Sequence, residues 1–515
     1  MASLDIDRKE KKLVESYKVI ADNVPATVNI WDVKEENVLI YDIILPKLGL
    51  ATEAVLNAMI GELAKEVPVD TESITDSEQA GKVKELFYAK TRAKVKELLK
   101  NISEQQADLF AGILLHKMYG LGEMEIILAD NGLEEVVING VKQPISIYHK
   151  KHGWCKTSKF LESEEEIYNF SAQIGRKIGR EITSLNPIMD AYLLTGDRVA
   201  STLFPISTAG NTITIRRFAR SPWTVAHFVD PQYNTMSKEI AAFIWLAMQY
   251  ELNIIVAGGT ASGKTSVLNT LCSFIPPKQR IISIEDTREI ALPKALHWNW
   301  VPLTSRNPNP EGQGEVTMLN LIVASLRMRP DRIVVGEIRK REQAEALFEA
   351  MHTGHSVYAT MHADTAEQVK RRLIEPPISV PKSEVESLQL VLVQYRDRRR
   401  GIRRTLEVAE ILSEASEKAD LELNYLWRWH PRDDVFEKVN DSIRVVEDLN
   451  LHTGMTPQEI AADLKDRQKI LQWMVDSKLT DIDKLGHVMH LYYKNPEILE
   501  NAIKKKIAAD KLLSL

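Results

Sequence analysis

Gly258, Gly259, Thr260, Ala261, Ser262, Gly263, Lys264 and Thr265 have the spacing G-x-x-x-x-G-K-T, a pattern able to hold a polyphosphate. Glycines let backbone N–H groups turn inward and approach phosphate oxygens closely. Lys264 supplies a cation to the β- and γ-phosphates, and the Thr265 hydroxyl is placed to ligate Mg²⁺. Ser266 completes the nucleotide-binding set at the start of the helix that the pattern demands, whose N-terminus adds partial positive charge.

Two further clusters turn nucleotide binding toward hydrolysis. Ile281–Glu285 and Ile333–Glu337 are apolar runs that each end in a carboxylate. In doubly wound sheets ligands sit at the C-terminal strand edges, beside the phosphate loop. Gly336 stands where the usual second motif of nucleotide hydrolases carries Asp, so Glu337, acting through water, is expected to share the Mg²⁺ work with Glu285. A third cluster, Thr353–Asp364, places His362 at the end of a short β-rich run, where it could hydrogen-bond a γ-phosphate. His352, His355 and His362 have no neighbouring cysteine and no zinc-motif spacing, which weighs against a shared metal.

The elements that must position these groups follow from the patterning. Asn253–Ala257 reads as an apolar strand entering the loop, after a helical Lys238–Tyr250. Strands alternating with helices predict a parallel α/β sheet. Upstream, Glu135–Asn139, Ile145–His149 and Thr212–Ile215 are short β-branched runs between turn residues. The fold class expected is α/β and two-lobed: an N-terminal α/β domain, a linker, and a RecA-like phosphate-loop domain with a helical tail. The boundaries are 1–104, a partly helical region to which the patterns assign no fold; 105–218, the N-terminal lobe; 219–237, the linker, aperiodic and carrying Pro222 and Pro231; 238–430, the RecA-like core; and 431–515, mainly helical. Thr456-Pro457-Gln458-Glu459 has the form of a capping box that opens a helix in the last region.

Composition bounds the rest. Apolar residues make up 44% and charged residues 27% of the 515, as in ordinary globular proteins. A net charge of −6 argues against a whole-chain polyanion binder while leaving room for a local basic channel. Cys155 and Cys272, the only cysteines, exclude a disulfide scaffold and fit a reducing compartment. No apolar run approaches the roughly 18 residues of a transmembrane helix, and the first residues carry no apolar signal core, so a cytoplasmic protein is expected.

Taken in order, the loop at Gly258–Thr265, the acidic pair Glu285-Asp286, the Gly336-Glu337 strand end and the His box at Gly354–His362 resemble the motor ATPases of type II secretion, type IV pilus and archaellum assembly. Leu128–Gly140, Pro187–Asp190, Thr195–Val199 and Thr214–Phe218 resemble that family's N-terminal domain. The resemblance implies ATP and Mg²⁺ as cofactors and a cytoplasmic homo-hexameric ring that binds nucleotide between lobes and between subunits. It implies that Glu285 orients the attacking water, Glu337 assists Mg²⁺, His362 reads the γ-phosphate, and Arg198 and Arg216 close over the phosphates, with Arg217 and Arg339 as near-equal competitors. Two distant cysteines cannot supply the four-cysteine zinc insertion of bacterial members, and the C-terminal region Met455–Glu500 is most similar to the archaellum branch. The function so implied is assembly of an archaellum or type IV pilus-like filament, with rotation of the filament as a further archaellum task. The motor would lie peripherally at the inner face of the membrane, acting on a polytopic platform protein while the linker near Pro222–Ser237 opens and closes. A nucleic-acid translocase or conjugation-type ring ATPase is the alternative, on the strength of Arg396–Arg404. That run lies between apolar strand-like segments, so a β-hairpin with an Arg-rich tip facing acidic lipid or a partner loop is the simpler reading. No aromatic residues directly follow it as a stacking platform for bases.

Overall fold

In the computed structural model the residues described are all except 1, 4–9, 67–76, 100, 142, 178–179, 194–195, 218–221, 307, 309–311, 413–420, 506 and 514–515. The chain forms two compact units, residues 1–220 and 221–515.

The first unit is built on a ten-stranded sheet. Its strands are β1 (Ala2–Ser3), β2 (Lys11–Ala21), β3 (Val24–Val33), β4 (Ile40–Ile44), β5 (Leu133–Asn139), β6 (Pro144–His149), β7 (Gly153–Phe160), β8 (Ile188–Tyr192), β9 (Arg198–Thr202) and β10 (Thr212–Arg216). They run in the order β2-β3-β4-β7-β6-β5-β10-β9-β8, with β1 paired to β7. Asp22 and Asn23 turn β2 into β3 at φ 47° and 66°, a left-handed conformation that short polar side chains tolerate and that matches strand twist. Along β3, Val24, Ala26, Val28 and Ile30 alternate into the core and join Tyr41, Val136, Ile138, Ile145 and Ile147. Buried Asp130 ties the two halves together, its Oδ2 accepting the Tyr17 hydroxyl at 2.7 Å and the Tyr41 hydroxyl at 2.8 Å. Helices Leu50–Glu66, Ser77–Leu98 and Glu104–Met118 share a smaller apolar cluster.

The expected boundary at 104/105 therefore does not separate two bodies. β4 pairs in parallel with β7 through Ile40 and Tyr41, so the first strands extend the same sheet as the N-terminal lobe. The β-branched alternation of residues 24–33 is the physical reason.

The second unit carries a nine-stranded sheet: β11 (Ile254–Gly258), β12 (Ile281–Glu285), β13 (Trp300–Thr304), β14 (Arg332–Ile338), β15 (Ser356–Met361), β16 (Leu390–Asp397), β17 (Ile402–Leu412), β18 (Glu422–His430) and β19 (Val435–Lys438). The order is β13-β12-β14-β15-β11-β16-β17-β18-β19. The strands from β13 to β16 are parallel and the remainder is antiparallel. Alternate residues feed two cores. Ile254, Val256, Val334 and Leu392 face helices Lys238–Gln249, Pro457–Asp476 and Ile482–Lys494, while Ile255, Ala257, Val335 and Val393 face helices Arg341–His352 and Ala366–Ile374. Sheets covered on both sides in this way are characteristic of α/β proteins.

Two boundaries shift here. Of the expected linker 219–237, residues 219–221 lie outside the described set, and the rest is packed in the second unit. Val225, Phe228 and Met236 are buried, Trp223 packs against the same core, and Val225–Val229 is a short helix. Its apolar side chains, not its prolines, decide its place. Likewise 430/431 cuts the β18–β19 hairpin, so the helical tail begins at Arg444–Thr453. In that tail the Thr456 hydroxyl accepts the Glu459 N–H at 3.3 Å, and Glu459 Oε2 accepts the Thr456 N–H at 2.8 Å. Among the described residues no helix is long and apolar enough to cross a membrane.

Candidate functional site

Four adjacent parallel strands, β12, β14, β15 and β11, bring Glu285, Glu337, His362 and the phosphate loop to one sheet edge. This is the edge at which open α/β sheets bind ligands. Gly258 ends buried β11 at φ 153°, and a Cβ there would lie 2.4 Å from both the Gln394 carbonyl oxygen and Ser262 Oγ. Only glycine lets the chain pass between them. Ala261 sits at φ 59°, and Gly263 at φ 94° caps the helix Lys264–Cys272. Lys264 is buried, and its Nζ donates to the Gly258 and Gly259 carbonyl oxygens, each at 2.9 Å. The cation is thus held at the loop it serves, while Thr265 and Ser266 follow on the first turn of the helix.

Glu285 is 2% exposed. Its Oε1 accepts the N–H groups of Glu289 at 2.8 Å and Ile290 at 3.0 Å, which fixes the carboxyl in one orientation. Burial pushes its pKa up to about 7, against the opposing pull of those two N–H groups. A carboxyl so poised can take a proton from water near neutral pH.

Glu337 follows Gly336 at an irregularity in the β14–β15 pairing between Val335 and Ile338. Such an irregularity re-aims a side chain. Its Oε2 accepts from Arg339 Nε at 2.7 Å, and its Oε1 lies 3.6 Å from His362 Nε2. Arg339 also donates to Asp286 Oδ2 at 2.8 Å, bridging the ends of β12 and β14. His362 is held below its ordinary pKa, chiefly by burial and then by the Lys264 charge, with Glu337 pulling the other way. At the opposite end of the same strand, the His355 ring meets the Thr353 hydroxyl at 3.1 Å and the Ala350 carbonyl at 3.3 Å.

The Thr265 hydroxyl and the Glu337 carboxylate are hard oxygen donors of the kind Mg²⁺ takes together with substrate phosphates. Among the described residues no cluster of three or more His, Cys, Asp or Glu side chains could hold a metal by itself. A donor set completed by phosphate oxygens fits that pattern.

Arg198 and Arg216 belong to the first unit, directly opposite each other on β9 and β10. Arg198 forms a forked pair with Asp190, Nε to Oδ1 at 3.0 Å and Nη2 to Oδ2 at 2.6 Å. Arg217 folds inward onto the backbone carbonyls of Asp130 and Leu133, so it serves the fold. Arg339 belongs to the carboxylate cluster.

Sequence reasoning left the arginine turn outside the site, and the structure brings it in. β16 and β17 form the expected hairpin, but Arg403 Nε donates to the Ala261 carbonyl at 3.1 Å. Arg396 and Arg398 line a cavity of about 360 Å³ together with Gly259, Thr260, Ser262 and His362. These three side chains thus stand beside the phosphate loop, a placement the sequence reading did not assign to the hairpin. The usable signal was topological: β16 neighbours β11, so whatever follows β16 must emerge at the same edge.

The model of the family described as "Type II/IV secretion system protein" matches residues 196–399, a span that includes the loop, both carboxylate strand ends and His362. An uncharacterized protein of Methanocaldococcus jannaschii is 34% identical over 399 residues, covering 76% of this chain and 71% of that protein. A second from the same organism is 38% identical over 252 residues, covering 48% and 90%. The type IV secretion system protein PtlH of Bordetella pertussis is 31% identical over 288 residues, covering 50% and 84%. Identity sustained over most of these relatives' lengths, with the site inside the matched span, means that the chain belongs to the type II/IV secretion system protein family.

Proposed function

We propose that this protein is an ATP-hydrolysing motor that powers a type II/IV secretion or pilus-type assembly machine. The observation that carries the reading is the convergence of Lys264 in its loop, a buried carboxyl of Glu285 tuned to about 7, and the Glu337–His362 pair on four neighbouring strand ends. In this role the loop N–H groups and Lys264 bind the triphosphate, Glu285 accepts the proton of the attacking water, and His362 donates toward the γ-phosphate. Mg²⁺, held by Thr265 and Glu337 with the phosphates, would neutralise charge on the β- and γ-oxygens. Arg198 and Arg216 are assigned to stabilising the transferring phosphoryl.

The finer reading is a homo-hexamer at the inner face of a membrane, acting on a polytopic platform protein to assemble an archaellum or type IV pilus-like filament. Membership of the secretion family supports the machine class, and the motif resemblance of the C-terminal region supports the archaellum branch. Acidic lipid is a further partner in this reading, and the nearness of Arg396, Arg398 and Arg403 to the phosphate loop favours it over the nucleic-acid alternative. Phosphate release from ATP by the purified chain, measured with and without Mg²⁺, tests the reading. Wild type should turn over and Lys264→Ala should not. Equal rates in the two would sink it.

A further inference from the structure

The turn between β16 and β17 breaks a local rule. Arg396 and Arg403 are directly opposite partners in an antiparallel pair, an arrangement that like charges disfavour. Positions that break local rules without a packing reason tend to be functional. Several features nonetheless hold this turn in one shape. Asp397 Oδ1 accepts the N–H groups of Arg399 at 2.9 Å and Arg400 at 3.1 Å, and Gly401 adopts φ 67°. Two further arginines of the run are engaged elsewhere. Arg400 donates to the Pro431 carbonyl at 3.0 Å, and buried Arg404 forks onto Asp434 at 2.6 and 2.7 Å.

The three left at the site are placed by the phosphate loop itself. Arg403 Nε bonds the Ala261 carbonyl, and its Cδ lies 3.5 Å from where a Cβ of Gly263 would be, against the start of the helix. Arg396 and Arg398 line the cavity with Gly259, Thr260 and Ser262. Asp364 lies there too, so one acid stands among several cations. Two arginines facing each other beside a Gly-rich anion cradle are stabilised by a polyanion between them, and guanidinium groups are suited to phosphate oxygens.

We propose that the Arg396–Arg403 turn is a second phosphate-binding element within the same subunit, in which Arg396 and Arg398 grip the phosphate chain of the nucleotide while Arg403 holds the loop tip. It rests on the nucleotide-hydrolase reading of this site and deepens it. The consequence is that nucleotide affinity is built largely inside one subunit, separately from Arg198 and Arg216.

The test is equilibrium binding of ADP to the full chain by calorimetry in EDTA, across a series of salt concentrations. Arg398 is exposed, so its replacement leaves the core untouched. Arg398→Ala should weaken ADP roughly tenfold, and Arg396→Ala with Arg398→Ala by about a hundredfold, with a shallower salt dependence; Arg398→Lys should fall between. Unchanged affinity and salt slope in the double variant, with wild type binding ADP, would overturn the proposal alone. Wild type that binds no ADP, equal to Lys264→Ala, would overturn the hydrolase reading and the proposal with it. A parallel arm uses phosphatidylserine–phosphatidylcholine vesicles. Variants that lose vesicle binding yet keep ADP affinity would assign the turn to lipid and defeat the proposal.

Discussion

A Cβ built on Gly336 would stand 3.4 Å from Cγ of Glu285, across the β12–β14 pair. The glycine that replaces the usual Asp is thus the wall against which the catalytic candidate packs. Gly336→Asp, which restores the commoner motif, should set a second carboxylate beside Glu285 and drive its pKa further up. Turnover at pH 7 should fall about tenfold or more and recover as pH is raised, whereas Gly336→Ala should keep the wild-type pH profile. A Gly336→Asp profile equal to wild type would contradict this packing argument.

Glu285 is expected to act as the base, so turnover should rise with pH along a limb centred near 7. Glu285→Gln should lower kcat on the order of a thousandfold and leave ADP affinity within about threefold of wild type. Stopped-time phosphate assays and binding titrations read the two separately. Loss of binding rather than of turnover would reassign the residue to nucleotide capture.

The same group makes stability depend on pH in an unusual direction. Its folded pKa of about 7 lies above the ordinary 4.5, so between these values the folded state binds more protons than the unfolded. The contribution is fully present below 4.5 and is lost as pH rises through 7, amounting to about 3 kcal/mol at most. Glu285→Gln removes it. The melting temperature of wild type relative to Glu285→Gln should therefore decline from pH 5 to pH 8, and a rise would reverse the assignment.

Phe228, 4% exposed in what reads as linker, belongs to the core of the second unit. Phe228→Ala should cost about 3 kcal/mol of that unit's stability, a loss that a flexible connector would not show. Thermal or denaturant unfolding monitored on residues 221–515 within the full chain gives the answer.

The candidate site was legible because its main parts are linear signals: a phosphate loop after an apolar strand, and carboxylates at strand ends. The tuning of Glu285 was not, since its surroundings come from Gly336, Glu289 and Ile290, and burial cannot be read from type. Arg403 escaped for a related reason. Its partner Ala261 lies 142 positions away, and only the placement of β16 beside β11 joins them. β2 is hard to read from sequence because it is a charge-rich edge of which only Val19 and Ala21 are buried, which masks its alternation.

The parallel seam between β4 and β7 bears on how the protein can be dissected. A fragment starting at residue 105 looks natural from texture, yet it would bare the β7 backbone along Lys156 and Thr157 and strip Asp130 of both phenol donors. Exposed strand edges recruit one another. Such a fragment would tend to self-associate through that unfilled slot, and an oligomer measured on it would report the cut rather than the proposed ring.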